Sequence, residues 1–254
     1  MSRGRFVWYD LMTSDVEGAA RFYADIIGWG TVPWEGQRQY MIWTNEDVPL
    51  GGLMALPDEA RSSGATPHWL CYVAVPDTDS AVDRAVELGG TVLVSPTLIP
   101  GSGRFAVLQD PQQAVFAMFT PIERQYRSEG TPAVGEFSWH ELAVTDHVAA
   151  FEFYCELFGW EKAEAYDMGE MGIYQMYACA GTKAPLGGMF DKPSDMSTGW
   201  LLYVRVDDVQ RVVEKVLEMG GRVLNGPMAV PGEDIVAQCV DPQGAVFALH
   251  SMRG

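Results

Sequence analysis

Basic groups, cysteines and long apolar runs are all scarce in this sequence, and each shortage narrows what the chain does. Only 17 Lys and Arg stand against 34 Asp and Glu, for a formal net charge of −17 at pH 7. A surface so acidic, with no basic stripe to offset it, repels phosphate backbones and anionic leaflets, so neither nucleic acid nor a membrane is expected as a partner. No uninterrupted apolar stretch approaches the roughly 20 residues that span a bilayer. The opening residues, Met-Ser-Arg-Gly-Arg-Phe-Val-Trp-Tyr-Asp, lack the apolar centre of a secretion signal. The four cysteines, Cys71, Cys155, Cys179 and Cys239, form no C-x-x-C pair and read as reduced, mostly buried thiols. A cytoplasmic protein is the expectation. No G-x-S-x-G, H-E-x-x-H or nucleotide-binding fingerprint occurs.

What is present is a pattern stated twice. At an offset of 131 residues, Phe6 and Trp8 match Phe137 and Trp139, Asp15 matches Asp146, Phe22-Tyr23 matches Phe153-Tyr154, and Gly28-Trp29 matches Gly159-Trp160. The same offset returns for Tyr72-Val73, Gly89-Gly90 and Asp110-Pro111-Gln112, which match Tyr203-Val204, Gly220-Gly221 and Asp241-Pro242-Gln243. Between these blocks it drifts, Gly51-Gly52 pairing with Gly187-Gly188, as a loop-length difference between two copies of one fold would produce. The period is too long for a solenoid, so this is domain duplication. The expected domains are residues 1–122 and 135–254, joined by a polar connector, 123–134, with Gly and Pro near its end.

Each copy divides again. Phe6 to Met12 alternates as a strand, Ser14 or Asp15 caps a helix carrying Val16, Ala19, Ala20, Tyr23, Ile26 and Ile27, and Gly28 ends it. Strands follow at Gln39–Thr44 and Leu50–Leu56. The next unit repeats the plan: strand Trp69–Val75, a helix capped by Asp77 or Asp79 with Val82, Ala85, Val86 and Leu88 on its apolar face, then strands near Thr91–Val94, Arg104–Gln109 and Ala114–Phe119. In the second copy Asp146 and Asp207 or Asp208 are the caps, and Val209, Val212, Val213, Val216 and Leu217 line a helix face. The predicted fold class is α+β: two tandem domains, each a pair of β-α-β-β-β units.

A capped helix ending Phe-Tyr-x5-Gly-Trp, a Gly-Gly strand, a helix ending Gly-Gly and a closing Asp-Pro-x-Gly hairpin together resemble the glyoxalase/bleomycin-resistance/dioxygenase proteins, the vicinal-oxygen-chelate superfamily, in its two-domain glyoxalase-like form. The resemblance implies that paired units curl into a half-open barrel whose concave face holds a small molecule. It also implies, for the enzymes of that superfamily, a divalent metal gripped by His, Glu or Gln from the first and last strands, acting as a Lewis acid. Scaffolds of this kind serve lyases, isomerases, dioxygenases and non-catalytic drug-binding proteins alike, so the fold alone assigns no activity.

The residues at the metal-binding places depart from that pattern. Seven positions before the helix-capping Asp stand Trp8 and Trp139; the comparable strand of the later units carries Leu70 and Leu201; and the last-strand acid is replaced by Ala117 and Ala248. None of these donates a lone pair, so no cofactor is predicted. A divalent metal stands as the disfavoured alternative, with Glu141 and His250 as ligands and a third ligand missing. The expected ligand is a small, partly apolar molecule bound in aromatic-lined cups by Trp8, Asp10, Tyr40, His68, Trp139, Glu141, Tyr174 and His250. The rival reading is a lyase, isomerase or hydroxylase with Glu141 as general base and His250 beside it as acid or ligand. His147, next to a cap, reads as a solvated helix residue, and Gln113, standing where the other copy has Gly244, is expected to be strained if the turn needs a positive backbone angle. The chain fits a monomer or a homodimer.

Overall fold

The computed structural model describes residues 3–35, 40–122, 130–182 and 184–253. Most of the expected connector, 123–129, and Gln39 of the predicted strand lie outside the described residues. The first copy contains β1 (Phe6–Thr13), α1 (Val16–Ile27), β2 (Gly30–Pro33), β3 (Tyr40–Asn45), β4 (Val48–Ala55), α2 (Asp58–Ser62), β5 (His68–Ala74), α3 (Thr78–Glu87), β6 (Thr91–Ile99), β7 (Gly103–Gln109) and β8 (Val115–Pro121). The second contains β9 (Phe137–Val144), α4 (His147–Phe158), β10 (Trp160–Asp167), β11 (Ile173–Cys179), β12 (Pro185–Asp191), β13 (Gly199–Arg205), α5 (Val209–Glu218), β14 (Arg222–Ala229), β15 (Ile235–Val240) and β16 (Val246–Ser251). The class is α+β, with two eight-stranded mixed sheets in the orders β2-β3-β4-β1-β5-β8-β7-β6 and β10-β11-β12-β9-β13-β16-β15-β14. Two strands, β2 and β10, complete the β-α-β-β-β units where the sequence shows no clear alternation. Among the described residues no helix is long and apolar enough to cross a membrane.

Local chemistry explains the helices. Asp15, Asp77, Asp146 and Asp208 each sit in extended backbone and accept amide hydrogen bonds from the first turn of α1, α3, α4 and α5, which satisfies donors a helix start leaves bare. Gly28 and Gly159 end α1 and α4 in the left-handed region, with φ 94° and 69°. The apolar faces differ from expectation at two places: Val86 and Leu217 point to solvent, each one step round the helix from the buried Ala85 and Val216. In the hairpin after β7, Gln113 has φ 76° where Gly244 has φ 107° in the other copy, so the side chain there carries the strain expected for a residue with a Cβ.

By packing, the chain forms two compact units, and each draws on both copies. One comprises Met1–Val7, Cys71–Glu129 and Trp139–Leu201; the other comprises Trp8–Leu70, Gly130–Ser138 and Leu202–Gly254. In the first, Tyr154 of α4 is fully buried and donates to Oδ2 of Asp110 at 3.0 Å. Oδ1 of the same carboxylate accepts the amides of Gln112 and Ala114, which shapes the Asp-Pro turn. Phe116, Phe158 and Trp160 pack round the tyrosine, and the Trp160 indole donates to the carbonyl of Gly4 at 2.7 Å. The second unit repeats the device. Tyr23 of α1, also fully buried, donates to Oδ2 of Asp241 at 3.3 Å and accepts from the Trp69 indole at 3.0 Å. Asp241 Oδ1 takes the amides of Gln243, Gly244 and Ala245. Trp29, Trp43 and Phe247 surround Tyr23, and Trp29 donates to the Gly135 carbonyl. The two sequence signatures, Phe-Tyr and Asp-Pro, therefore meet, the tyrosine of one copy with the aspartate of the other. The four cysteines are free thiols.

Burial pushes both phenols up in pKa, with the neighbouring carboxylate adding to the effect, so they stay protonated donors. Burial also raises Asp110 and Asp241 above the ordinary carboxyl value, against the pull of their amide and phenol donors. Replacing Tyr23 by Phe leaves a buried carboxylate oxygen and the Trp69 indole without this partner. We expect a loss of about 1–3 kcal/mol in urea unfolding; a change of only about 0.5 kcal/mol, the range of neutral surface substitutions, would show the bond is not structural. A carboxyl whose folded pKa lies above its unfolded value, about 3.9, stabilises below that value and loses the contribution as pH rises through the folded pKa. The stability advantage of the parent protein over Asp110→Asn should accordingly be largest in acid and shrink as pH increases, read from unfolding midpoints across pH.

Candidate functional site

Alternation along β1 brings Trp8 and Asp10 to one face, and the first residue of β3, Tyr40, joins them. The indole Nε1 of Trp8 donates to Asp10 Oδ1 at 2.9 Å and to Tyr40 Oη at 2.7 Å, and the Tyr40 hydroxyl donates to the same Asp10 oxygen at 2.7 Å. Asp10 is 5% exposed, so the carboxylate is an aimed, nearly enclosed acceptor and not solvated surface. Burial, followed by the Asp10 charge, pushes the Tyr40 phenol far up, which keeps it a donor. The cluster exists because β4 carries glycine: Asp10 lies opposite Gly52 in the β1–β4 register, and a Cβ on Gly52 would stand 1.9 Å from Tyr40 Oη and 2.4 Å from Asp10 Oδ1. The preceding Gly51 is equally constrained, its missing Cβ lying 1.9 Å from the Tyr9 carbonyl oxygen.

The other compact unit holds the counterpart. Trp139 Nε1 donates to Tyr174 Oη at 2.7 Å, and that hydroxyl donates to Glu141 Oε2 at 3.1 Å. Glu141 faces Gly188 in the β9–β12 register, and a Cβ on Gly188 would meet the Tyr174 ring at 2.1 Å. Trp139 and Glu141 are half-buried. The extra methylene of glutamate turns a closed triangle into an open chain, indole to phenol to carboxylate. His140, between them, faces the other way: it is buried and stacks on Phe6 at 3.7 Å between ring centroids.

The remaining predicted residues take separate places. His250 of β16 belongs to the unit of Trp8 and not to that of Glu141, and its hydrogen bonds run to Ser138 Oγ at 2.9 Å and Asp234 Oδ2 at 3.0 Å. Ser138 and Asp234 carry no motif that would single them out in the sequence. In the same unit, Gln238 donates to the Tyr203 hydroxyl at 3.3 Å. His68 opens β5 and its Nδ1 lies 2.7 Å from the Thr66 carbonyl, a local turn contact. His147 departs from expectation. Its amide and its Nδ1 both contact Asp191 Oδ1, at 2.7 and 2.9 Å, and its side chain is only 13% exposed. Partial burial would raise the Asp191 pKa; the His147 amide and ring outweigh it and hold the carboxyl low.

A Glyoxalase-like domain model matches residues 7–119, and the Glyoxalase/Bleomycin resistance protein/Dioxygenase superfamily model matches residues 136–249. The chain belongs to this superfamily. As a two-domain superfamily member it is 30% identical to the anthracycline biosynthesis protein DnrV of Streptomyces peucetius, with 98% of this chain and 94% of that protein covered. It is 29% identical to the protein named "Putative glyoxylase CFP32" in Mycobacterium bovis, over 95% of this chain and 92% of that one. Among solved structures, the Mn(II)-bound glyoxalase of Novosphingobium aromaticivorans matches with TM-score 0.68 at 15% identity, covering 99% of this chain and 83% of that one. Homoprotocatechuate 2,3-dioxygenase of Arthrobacter globiformis matches with TM-score 0.70 at 14% identity, covering 99% and 80%. At such identities the two structures share the fold.

Enzymes of the superfamily imply a divalent metal, and the donor set can be tested against it. Trp8 and Trp139 have their indole N–H groups committed to oxygen acceptors and offer no lone pair. Leu70 is buried, as are Ala117 and Ala248. Among the described residues no three His, Cys, Asp or Glu side chains converge as metal ligands. The residues at the superfamily's ligand positions do not fit a divalent ion. Elsewhere, a shallow groove of about 860 Å³ runs along the helical side of the first unit past Leu88, Pro111, Ala149 and Phe153. It contains none of the predicted site residues, and Gln112 crosses it with two hydrogen bonds to the Asp146 backbone.

The glycine requirement gives a direct check. Gly52→Ala should displace the Tyr40 phenol, shift tryptophan emission through loss of the Trp8 hydrogen bond, and cost about 1–3 kcal/mol as an overpacked core site does. An unchanged emission spectrum with parental stability would show that the phenol does not occupy this position.

Proposed function

We propose that the protein binds a small, partly apolar, planar molecule against the indole of Trp8 in one compact unit, or of Trp139 in the other, without a divalent metal at the superfamily's ligand positions. The observation that carries this reading is the paired Trp–carboxylate–Tyr arrangement. Where relatives that use a metal need a lone-pair donor, this chain builds an aromatic wall locked by hydrogen bonds to Asp10 or Glu141. Locked indoles present fixed faces at little conformational cost, which suits stacking and apolar contact. The more open carboxylate, Glu141, supplies the polar end, accepting from a ligand hydroxyl or pairing with a cationic group, while Asp10 fixes the aromatic wall. The likeness to a protein of anthracycline biosynthesis supports a polycyclic, hydroxylated aromatic as the ligand class.

The half-buried Glu141 favours a second reading. Asp10 is enclosed and takes two donors on one oxygen, whereas Glu141 is more open and accepts from the Tyr174 hydroxyl at a longer 3.1 Å. A carboxylate so placed can act as a general base on a bound ligand, so one copy would retain chemistry while the other binds.

Titrating the protein with a dihydroxyanthraquinone, after chelator treatment and metal analysis, separates these. Quenching of tryptophan emission should persist without metal, and Trp8→Ala or Trp139→Ala should weaken it about tenfold or more, the size of an aromatic hot spot. Binding that vanishes on chelation and returns with manganese, iron or zinc would overturn the metal-free reading. Loss of turnover in Glu141→Gln with binding intact would establish the base; unchanged turnover would dismiss it.

A further inference from the structure

We propose that Ser138, His250 and Asp234 form a nucleophilic relay that accepts an acyl group from an activated ester, an activity separate from ligand binding at Trp8 and Trp139. The three residues come from distant places in the chain: Ser138 from β9, His250 from β16 and Asp234 from the turn before β15. All lie within one compact unit. Asp234 Oδ2 stands 3.0 Å from His250 Nε2, and His250 Nδ1 stands 2.9 Å from Ser138 Oγ. A carboxylate at Nε2 fixes the proton on that nitrogen and turns the Nδ1 lone pair toward the hydroxyl. The other acceptor near the hydroxyl, the Tyr203 carbonyl, is more distant at 3.4 Å. The Arg253 amide donates to the second Asp234 oxygen at 3.1 Å and steadies the carboxylate. Nucleophile, base and orienting acid are thus in series, with the two ring nitrogens exchanged relative to the serine-hydrolase arrangement. Such a relay is recognised by the geometry and roles of its members and not by their positions in the sequence. Ser138 is half-buried, and the His250 and Asp234 side chains are 17% and 32% exposed.

The other copy argues that the relay is not needed for folding. At the same offset it has Val7, Gly103 and Phe119, and a Cβ on Gly103 would stand 2.5 Å from the Phe119 ring. There the aromatic ring takes the space, leaving none for an aspartate. Three positions are apolar or bare in one copy, and in the other they hold serine, histidine and aspartate already hydrogen-bonded in order.

In the reaction, Ser138 Oγ bonds to the acyl carbon while its proton passes to His250 Nδ1. The imidazolium is held by Asp234, and the carbon–oxygen bond to the leaving group breaks as the departing oxygen takes that proton. Water then attacks the acyl-serine by the same route and releases the acid. Ser138 and His250 are the catalytic residues; Asp234 is a positioning residue.

Full-length protein is treated with p-nitrophenyl acetate and, separately, with an alkyl fluorophosphonate, whose phosphorus bonds to Ser138 as fluoride leaves with the transferred proton. Intact-mass and peptide mapping should find one adduct per chain, on Ser138, forming faster at higher pH, as a neutral imidazole base requires. His250→Gln should slow labelling by about a hundredfold and flatten that pH profile. Asp234→Asn should slow it, and Asp234→Glu should recover part of the rate. Absence of a Ser138 adduct in the folded parent protein, or parental labelling rates in His250→Gln, would overturn the proposal. Should His250→Gln not fold, a parental labelling rate independent of pH, or one unaffected by Asp234→Asn, would overturn it equally.

Discussion

A buried tyrosine hydroxyl donating to a buried aspartate holds each compact unit together, and the partners come from different sequence copies: Tyr23 with Asp241, Tyr154 with Asp110. Neither group tolerates isolation. An unpaired carboxylate or phenol in an apolar interior costs several times what the finished bond contributes, so the two residues enforce each other. The aspartate also organises its own turn by accepting successive amides, which ties the closing hairpin of one copy to the first helix of the other. The tryptophans packed on each tyrosine extend that constraint into the surrounding core.

The site inherits its rigidity from the sheets. Glycine on β4 and β12 leaves a shelf on which Tyr40 and Tyr174 lie, and those phenols orient the indoles of Trp8 and Trp139. In a superfamily whose enzymes use first-strand side chains to hold metal, the same strand here carries a hydrogen-bonded aromatic. The carboxylate two residues on is spent on fixing its neighbours' geometry, more completely in the aspartate version than in the glutamate one.

Much of this was legible in the sequence. Capping aspartates, glycine stops and the doubled motif gave the α+β class and the repeated units, because those signals arise from local backbone needs that any fold must meet. The shared positions of Trp8 and Trp139, and of Asp10 and Glu141, pointed to a common face. What stayed hidden depends on long-range geometry. Periodicity placed Val86 and Leu217 on apolar faces, yet the angular edge of a helix face is set by what packs against it. His147 looked solvated because nothing nearby in sequence announces Asp191, 44 residues on. Ser138 and Asp234 were invisible for the same reason, since a serine on a strand and an aspartate in a turn are ordinary until a histidine is folded between them.

The exchange of partners between copies has a consequence for how such a chain could arise. A single repeat would carry a phenol and an acid whose complements sit on another molecule, so an ancestor of half this length would have met the demand only by pairing with itself. In such a self-paired molecule every change would appear on both sides at once. Within one polypeptide the halves are free to differ, as Val7, Gly103 and Phe119 differ from Ser138, Asp234 and His250.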